Sequence, residues 1–275
     1  MKSRVQGGWN KKPQQPIIRN NVSSNTIVYK PPDQNIKFKP EDINISESGD
    51  YTISTSLYGL SKIHINQTLY SLGEADNLYR TLINSLNWEN RYDISKLTGE
   101  KIYKSRLITW FGDVSYTYSN THHVPNNNWH PLLIKIKADV ERYCNTNYKF
   151  SEDNQQADLI SFNSCLCNLY RNEKDGVDWH SDDEIELGKF PFIASLSLGE
   201  IRNFLLRRIP DSGNIEDYEY TQQIKVPLNH GSLFIMQGAT QKDWQHKIPK
   251  EYHDKGARIN LTFRRTYDIN ALKLQ

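Results

Sequence analysis

The sequence predicts a mostly β fold, an all-β sandwich or jelly roll with helices set against one sheet. Three observations carry the prediction. From residue 159 onward six short strand-like runs follow one another with turn residues between them, at 162–170, 192–198, 203–207, 222–226, 232–236 and 258–264. Many short strands at close spacing are the pattern of a sandwich or jelly roll. The last run, Arg258-Ile-Asn-Leu-Thr-Phe-Arg264, alternates strictly, so Ile259, Leu261 and Phe263 share one face while two guanidiniums and an amide share the other. The two clear helical periods both lie earlier in the chain, where their helices would buttress one sheet.

Along the chain of 275 residues, the first 40 read as a disordered basic tail. Lys2, Arg4, Lys11, Lys12, Arg19, Lys30, Lys37 and Lys39 stand against Asp33 alone among prolines, asparagines and glutamines. Such a segment buries too little apolar area to offset its chain entropy. It suits tethering to nucleic acid or docking to a protein partner, with Trp9 as an anchor, and equally a merely solvated tail. Residues 41–275 then read as one domain, with the β core at about 159–267. Partial alternation in 52–57 and 61–65 predicts short strands. Between Glu74 and Trp88, the residues Ala75, Leu78, Tyr79, Leu82, Ile83 and Leu86 recur at helical spacing and form a core stripe. Residues 93–104 contain the polar turn Thr98-Gly-Glu-Lys101, and 106–120 interleave an arginine with Trp110, Phe111, Tyr116 and Tyr118. Pro131 sits where a first-turn proline belongs, and Leu133, Ile136, Val140 and Cys144 mark a second amphipathic helix. Residues 145–157 are polar and predict an inserted loop.

Composition bounds the function. Lys and Arg exceed Asp and Glu by only two, so any affinity for nucleic acid has to come from local patches. Three cysteines, Cys144, Cys165 and Cys167, are too few for a secreted disulfide framework, and no run of apolar residues has the length of a membrane span. The expectation is a protein of the nucleus and cytoplasm with no membrane role, and nothing demands more than a monomer.

The chemistry centres on 168–184, Asn-Leu-Tyr-Arg-Asn-Glu-Lys-Asp-Gly-Val-Asp-Trp-His-Ser-Asp-Asp-Glu. In extended chain His180 and Asp182 project to one side and reach one small ion. His246, in Trp244-Gln-His-Lys247, is the candidate third ligand, because the intervening strand-like runs can fold it back over the pair. Two histidines and a carboxylate on one face of a metal, with other positions open, are the ligand set of non-haem Fe(II) oxygenases. On the final strand Arg258 and Arg264, about 20 Å apart at ~3.3 Å per residue, offer arms for the two ends of a short dicarboxylate.

These residues resemble the AlkB family of Fe(II)/2-oxoglutarate dioxygenases, which remove alkyl groups from nucleic-acid bases. The resemblance is densest from about 107 to 267: Arg-Leu-Ile-Thr-Trp-Phe-Gly at 106–112, Tyr-Thr-Tyr-Ser at 116–119, Cys167 through Glu184, His-Gly-Ser-Leu-Phe-Ile-Met at 230–236, and 244–253. It implies a double-stranded β-helix, the dioxygenase form of the jelly roll. It also implies Fe(II) held by His180, Asp182 and His246, with 2-oxoglutarate as co-substrate and O2 as oxidant. Arg258 and Arg264 would bind the two ends of 2-oxoglutarate, and Asn168, Tyr170 and Asn260 would add hydrogen bonds.

For the substrate, the resemblance implies a nucleotide-recognition region at about 93–128. Tyr118, with Tyr116 as second choice, would stack on the target base, and Glu184 would accept from its exocyclic amine. The implied reaction is oxidative dealkylation of 1-methyladenine and 3-methylcytosine in single-stranded DNA and RNA, with release of formaldehyde, succinate and CO2. These methylated bases are cations, which an acidic pocket favours over the neutral parents. Glu100-Lys101 at the 93–104 turn offers no apolar wedge to replace a flipped base, in keeping with a single strand. Two other functions stand beside this one, a 2-oxoglutarate-dependent protein hydroxylase or demethylase and a catalytically inactive nucleic-acid adaptor. A complete triad together with both arginines argues against the adaptor.

Overall fold

Local sequence sets two helices and a series of short strands, and long-range pairing assembles the strands into two facing sheets. The structure is a computed structural model that describes residues 39–269 apart from 96, 119–120 and 149–158. The basic tail therefore falls outside the described residues almost entirely, as does most of the expected 145–157 loop.

In chain order the first elements are strands β1 (Ile43–Asn44), β2 (Gly49–Ser56) and β3 (Gly59–Asn66), followed by helix α1 (Leu72–Ser85). Four short strands come next, β4 (Tyr92–Ile94), β5 (Lys101–Tyr103), β6 (Leu107–Gly112) and β7 (Tyr116–Tyr118), then β8 (Thr121–His123) and helix α2 (Pro131–Asn147). The remainder is β9 (Ser164–Tyr170), β10 (Val177–His180), β11 (Ile193–Gly199), β12 (Arg202–Arg208), β13 (Gln223–Leu228), β14 (Leu233–Gly238), a single turn α3 (Thr240–Asp243), β15 (Trp244–Ile248) and β16 (Arg258–Arg264).

Both predicted helices form for the reasons the sequence gives. At the start of α1 the Ser71 hydroxyl accepts from the Glu74 amide and the Glu74 carboxylate accepts from the Ser71 amide, a reciprocal cap that satisfies two otherwise orphaned donors. At the start of α2, Pro131 occupies a first-turn position where no intrahelical donor is needed. The polar stretch from 145 begins inside this helix, contrary to the expected loop. The Asn145 and Asn147 amides and the Thr146 hydroxyl each donate to the carbonyl four residues back, which keeps polar residues helical to the last turn.

The larger sheet runs β2-β3-β14-β11-β16-β9-β6 and the smaller runs β1-β13-β12-β15-β10. Leu78, Leu82, Leu133, Ile136 and Val140 pack on one face of the larger sheet, against Leu196, Ile235 and Leu261. A second core, with Ile63, Ile193, Phe204, Leu206, Val226 and Phe234, fills the space between the sheets. Two sheets packed face to face with helices on one outer side are the expected jelly roll. The alternation of β16 has a direct consequence here. Ile259, Leu261 and Phe263 join the helix-side core, while Arg258, Asn260, Thr262 and Arg264 line a pocket between the sheets, so a strand of apparently amphipathic sequence is buried throughout.

Strands β4 and β5 pair as a hairpin that carries the expected polar turn. One expectation needs correction. Glu100 and Lys101 are polar, but Leu97 at the hairpin tip is 95% exposed, and Ile94 and Ile102 are exposed on its strands. The turn therefore does present apolar side chains, because they lie outside the Glu100-Lys101 pair on which the expectation rests. All three cysteines are free and buried. Among the described residues no helix is long and apolar enough to cross a membrane.

Candidate metal centre

The centre forms where the end of β10 meets β15 across the smaller sheet. These two strands pair antiparallel with His180 opposite His246, bringing together imidazoles 66 positions apart, with ring centroids 4.2 Å from each other. Side-chain alternation aims both inward, because His246 is also the register partner of the core residue Leu206. Asp182 follows two residues after His180, and the ligand atoms of His180, Asp182 and His246 all lie within 4.8 Å of one another. The three residues expected to share an ion thus meet in space.

Their surroundings fix the protonation states a metal requires. The His180 Nδ1–H donates to the Asp178 carbonyl at 2.8 Å, so Nε2 turns inward with its lone pair, 3.8 Å from Asp182 Oδ1. Burial lowers the pKa of His180 and brings that of His246 down to about 3, keeping both imidazoles neutral. For Asp182 burial acts upward, but the Arg264 guanidinium, by its charge and its hydrogen bond, leads the opposing effects that draw the carboxyl down to about 2. Asp182 Oδ2 accepts from Arg264 Nη2 at 2.6 Å, and the Asp182 amide donates to the Gln241 side chain at 2.9 Å. Its other oxygen, Oδ1, is buried without a hydrogen-bond partner. An ionised, oriented carboxylate oxygen left unsatisfied beside two neutral imidazoles fits a divalent cation.

The adjoining pocket is lined by the triad together with Arg106, Asn168, Tyr170, Arg258, Asn260 and Arg264. Arg258 is 1% exposed, and its Nη2 donates to Ser197 at 2.9 Å while Nε and Nη1 have no hydrogen-bond partner. Burial depresses this guanidinium to about 10. A buried cation with two idle donors facing a polar pocket fits a carboxylate of the kind 2-oxoglutarate carries. Tyr170 lies beneath it, its ring 5.2 Å from the guanidinium carbon. Arg264 sits at the far end of the same strand and holds Asp182, so its first partner is a metal ligand. Asn260 is occupied by its neighbours, donating to Ser195 at 2.6 Å and accepting from Thr262 at 2.9 Å.

Sequence reasoning passed over Arg106 and Gln241. Arg106 is buried, donates to Asn168 Oδ1 at 2.7 Å, and lines both the pocket and a groove outside it. Its signal was a lone arginine opening an otherwise apolar strand. Gln241, on the α3 turn, carried no pattern of its own.

The groove is bounded by Tyr103, Lys104, Asp178, Trp179 and Glu184 and reaches His180. Glu184 is half-buried there. Tyr116 and Tyr118 stand on β7, in register with His123 and Thr121 of β8. Their expected stacking concerns side chains outside the described ones.

The chain matches the 2OG-Fe(II) oxygenase superfamily over residues 62–264. It is 44% identical to the Alpha-ketoglutarate-dependent dioxygenase alkB homolog 3 of Bos taurus over 90% of this chain and 80% of that protein. The homolog 3 of Homo sapiens is 43% identical over the same shares. The DNA oxidative demethylase ALKBH2 of Mus musculus is 29% identical over 72% of this chain and 77% of that protein. With a His-Asp-His cluster beside a buried arginine, and relatives of this identity along most of its length, the chain belongs to the 2OG-Fe(II) oxygenase superfamily and, within it, to the AlkB family of Fe(II)/2-oxoglutarate-dependent dioxygenases.

Proposed function

We propose that the protein removes N-methyl groups from 1-methyladenine and 3-methylcytosine in single-stranded DNA and RNA, acting as a monomer in the nucleus and cytoplasm. The observation that carries the reading is that His180 lines both the inner pocket and the outer groove, so a base in the groove lies next to the candidate metal. Names of relatives support the class of reaction, since one is a DNA oxidative demethylase.

Iron, with 2-oxoglutarate and O2, would supply the oxidising chemistry that hydroxylates the N-methyl carbon while 2-oxoglutarate leaves as succinate and CO2, after which the unstable product releases formaldehyde. The chain's own residues do the rest. His180, Asp182 and His246 hold the metal from one side. Arg258 receives the distal carboxylate of the co-substrate, with Asn168, Tyr170 and Asn260 shaping the wall. Arg264 keeps Asp182 ionised and oriented and takes the other end of the co-substrate. At the groove, the Asp178 and Glu184 carboxylates favour a cationic methylated base over its neutral parent. Glu184 accepts from the exocyclic amine, and Tyr118, with Tyr116 beside it on the same strand, supplies the stacking ring. A second reading draws on Leu97 at the hairpin tip, an exposed apolar side chain of the type that wedges into a duplex in place of a flipped base.

The test is formaldehyde release from an oligonucleotide carrying one 1-methyladenine, single-stranded or annealed to its complement. Release from the single strand that needs the methyl group and disappears in Asp182→Ala is expected, with the annealed form turned over more slowly. Equal turnover of both forms favours the wedge reading. Succinate formation with no oligonucleotide-dependent formaldehyde sinks both and points to another substrate class.

A further inference from the structure

The alternation that turns His180 inward turns Trp179 outward, onto the solvent face of the smaller sheet. Trp179 is also a wall of the substrate groove, so the groove continues onto this outer face through one side chain. There Lys247 Nζ lies 4.6 Å from the Trp179 ring centroid and the Arg207 guanidinium carbon 4.5 Å from it, while Tyr218 covers Arg207 at 3.7 Å. Gln245 locks Arg207, accepting from its Nε at 3.0 Å and its Nη2 at 2.6 Å. Among the described residues neither Arg207 nor Lys247 has a carboxylate oxygen within ion-pair reach, although both are half-buried. Asp178 acts on Arg207 through space without a direct ion pair, and two cations fixed on an aromatic ring with no carboxylate in contact carry positive charge that an anion can claim without reordering them. Acids border the patch: exposed Asp178 on one side, and Glu216, Asp217 and Glu219 on the turn that carries Tyr218. Exposed Lys225 stands in the same cross-strand row as Lys247, each opposite Leu205, so Arg207 and Lys247 differ from it in being held on the Trp179 ring.

We propose that Lys247 and Arg207, held on Trp179, bind backbone phosphates of the substrate strand where it leaves the groove at His180, an inference that rests on the nucleic-acid reading above. The ligand is the polyanionic backbone of a single strand, read without regard to base. A purely structural cation–π cluster would stabilise this corner of the sheet but would leave ion release on binding unchanged.

The experiment is binding of a dye-labelled single-stranded oligonucleotide with one 1-methyladenine to the full chain over a salt series. Removing one cation that neutralises a phosphate lowers the slope of log affinity against log salt by about 0.7 for a single strand. Lys247→Gln is expected to lower the slope by about 0.7 and the pair Lys247→Gln with Arg207→Gln by about 1.4. The KM for the oligonucleotide should rise while kcat holds. Lys189→Gln serves as control, since Lys189 also lies over a ring, that of Phe190, which unlike Trp179 does not line the groove. It is expected to leave the slope at the wild-type value. A slope unchanged in Lys247→Gln, or lowered as much by Lys189→Gln, overturns the phosphate patch while the proposed function stands. If the wild-type chain neither binds nor demethylates the oligonucleotide, the nucleic-acid reading falls first and the patch with it.

Discussion

Asp182 and Arg264 form an ion pair with both partners buried, 2.6 Å apart. Removing one partner of such a pair leaves a buried charge uncompensated, at a cost of about 3–5 kcal/mol. Arg264→Ala should therefore lower the unfolding free energy by about that amount, measured by urea denaturation of the metal-free protein. A decrease of under ~1 kcal/mol, the scale of a solvent-exposed pair, would mean that water reaches Asp182. Arg258 has a different role and a different signature, because two of its donors are idle until a ligand arrives. Arg258→Gln should raise the KM for 2-oxoglutarate about 10- to 100-fold, the equivalent of the ~1.5–3 kcal/mol of a hydrogen bond to a charged group. Steady-state kinetics with saturating oligonucleotide checks this, and an unchanged KM would remove Arg258 from the co-substrate site. Both arginines were legible in sequence because β16 alternates without a break and its polar face is too rich in side chains of one chemistry to be a solvated edge. That Arg264 grips a metal ligand was not legible, since nothing in the spacing of residues 182 and 264 says that they touch.

Two elements hold the site in register. Strand β10 begins just after Gly176, whose position leaves no room for a Cβ: one built there would meet the Ile248 carbonyl oxygen at 2.7 Å. Gly176→Ala should push β10 from β15, part His180 from His246, and destabilise the fold by about 1–3 kcal/mol as overpacking does. Thermal unfolding together with metal affinity would reveal it, and a variant with wild-type values for both would refute the close approach. On the opposite side of the larger sheet, α2 docks through His64. Its Nδ1–H donates to Asp50 at 3.0 Å and its Nε2 accepts from the Tyr143 hydroxyl at 2.7 Å. Burial lowers the His64 pKa below 6.5 despite the pull of Asp50. A histidine held neutral contributes stability that is full above its unfolded pKa and is lost as pH falls below it, because the unfolded chain takes up the proton first. Between about pH 7 and pH 5, a window set by the unfolded histidine pKa, the wild type should lose more stability than His64→Gln. Parallel pH profiles would exclude His64 as the cause. Helices α1 and α2 were readable from apolar spacing and caps. Strands β10 and β15, though they carry the metal ligands, were not assigned from pattern, because four or five residues of mixed polarity give too short a period to identify.

At the scale of the whole molecule, the jelly roll solves a problem of distance. Three ligands spread over residues 180–246 converge because the smaller sheet folds its strands back beside one another, while β16 of the larger sheet supplies the arginines from the facing layer. Sequence reading reached this architecture because strands at short spacing leave few alternatives. It did not reach Arg106, which joins pocket to groove, since its role depends on β6 lying at the sheet edge beside β9. Convergence of the three ligands makes one metal site, and the most direct test is anaerobic titration of Fe(II) into the metal-free full chain and into Asp182→Ala, followed by calorimetry. One ion per chain in the wild type, with affinity at least about 100-fold lower in the variant, is the predicted result, in line with ~1.4 kcal/mol per tenfold for removal of a ligand. Equal affinity in the two proteins would contradict the site.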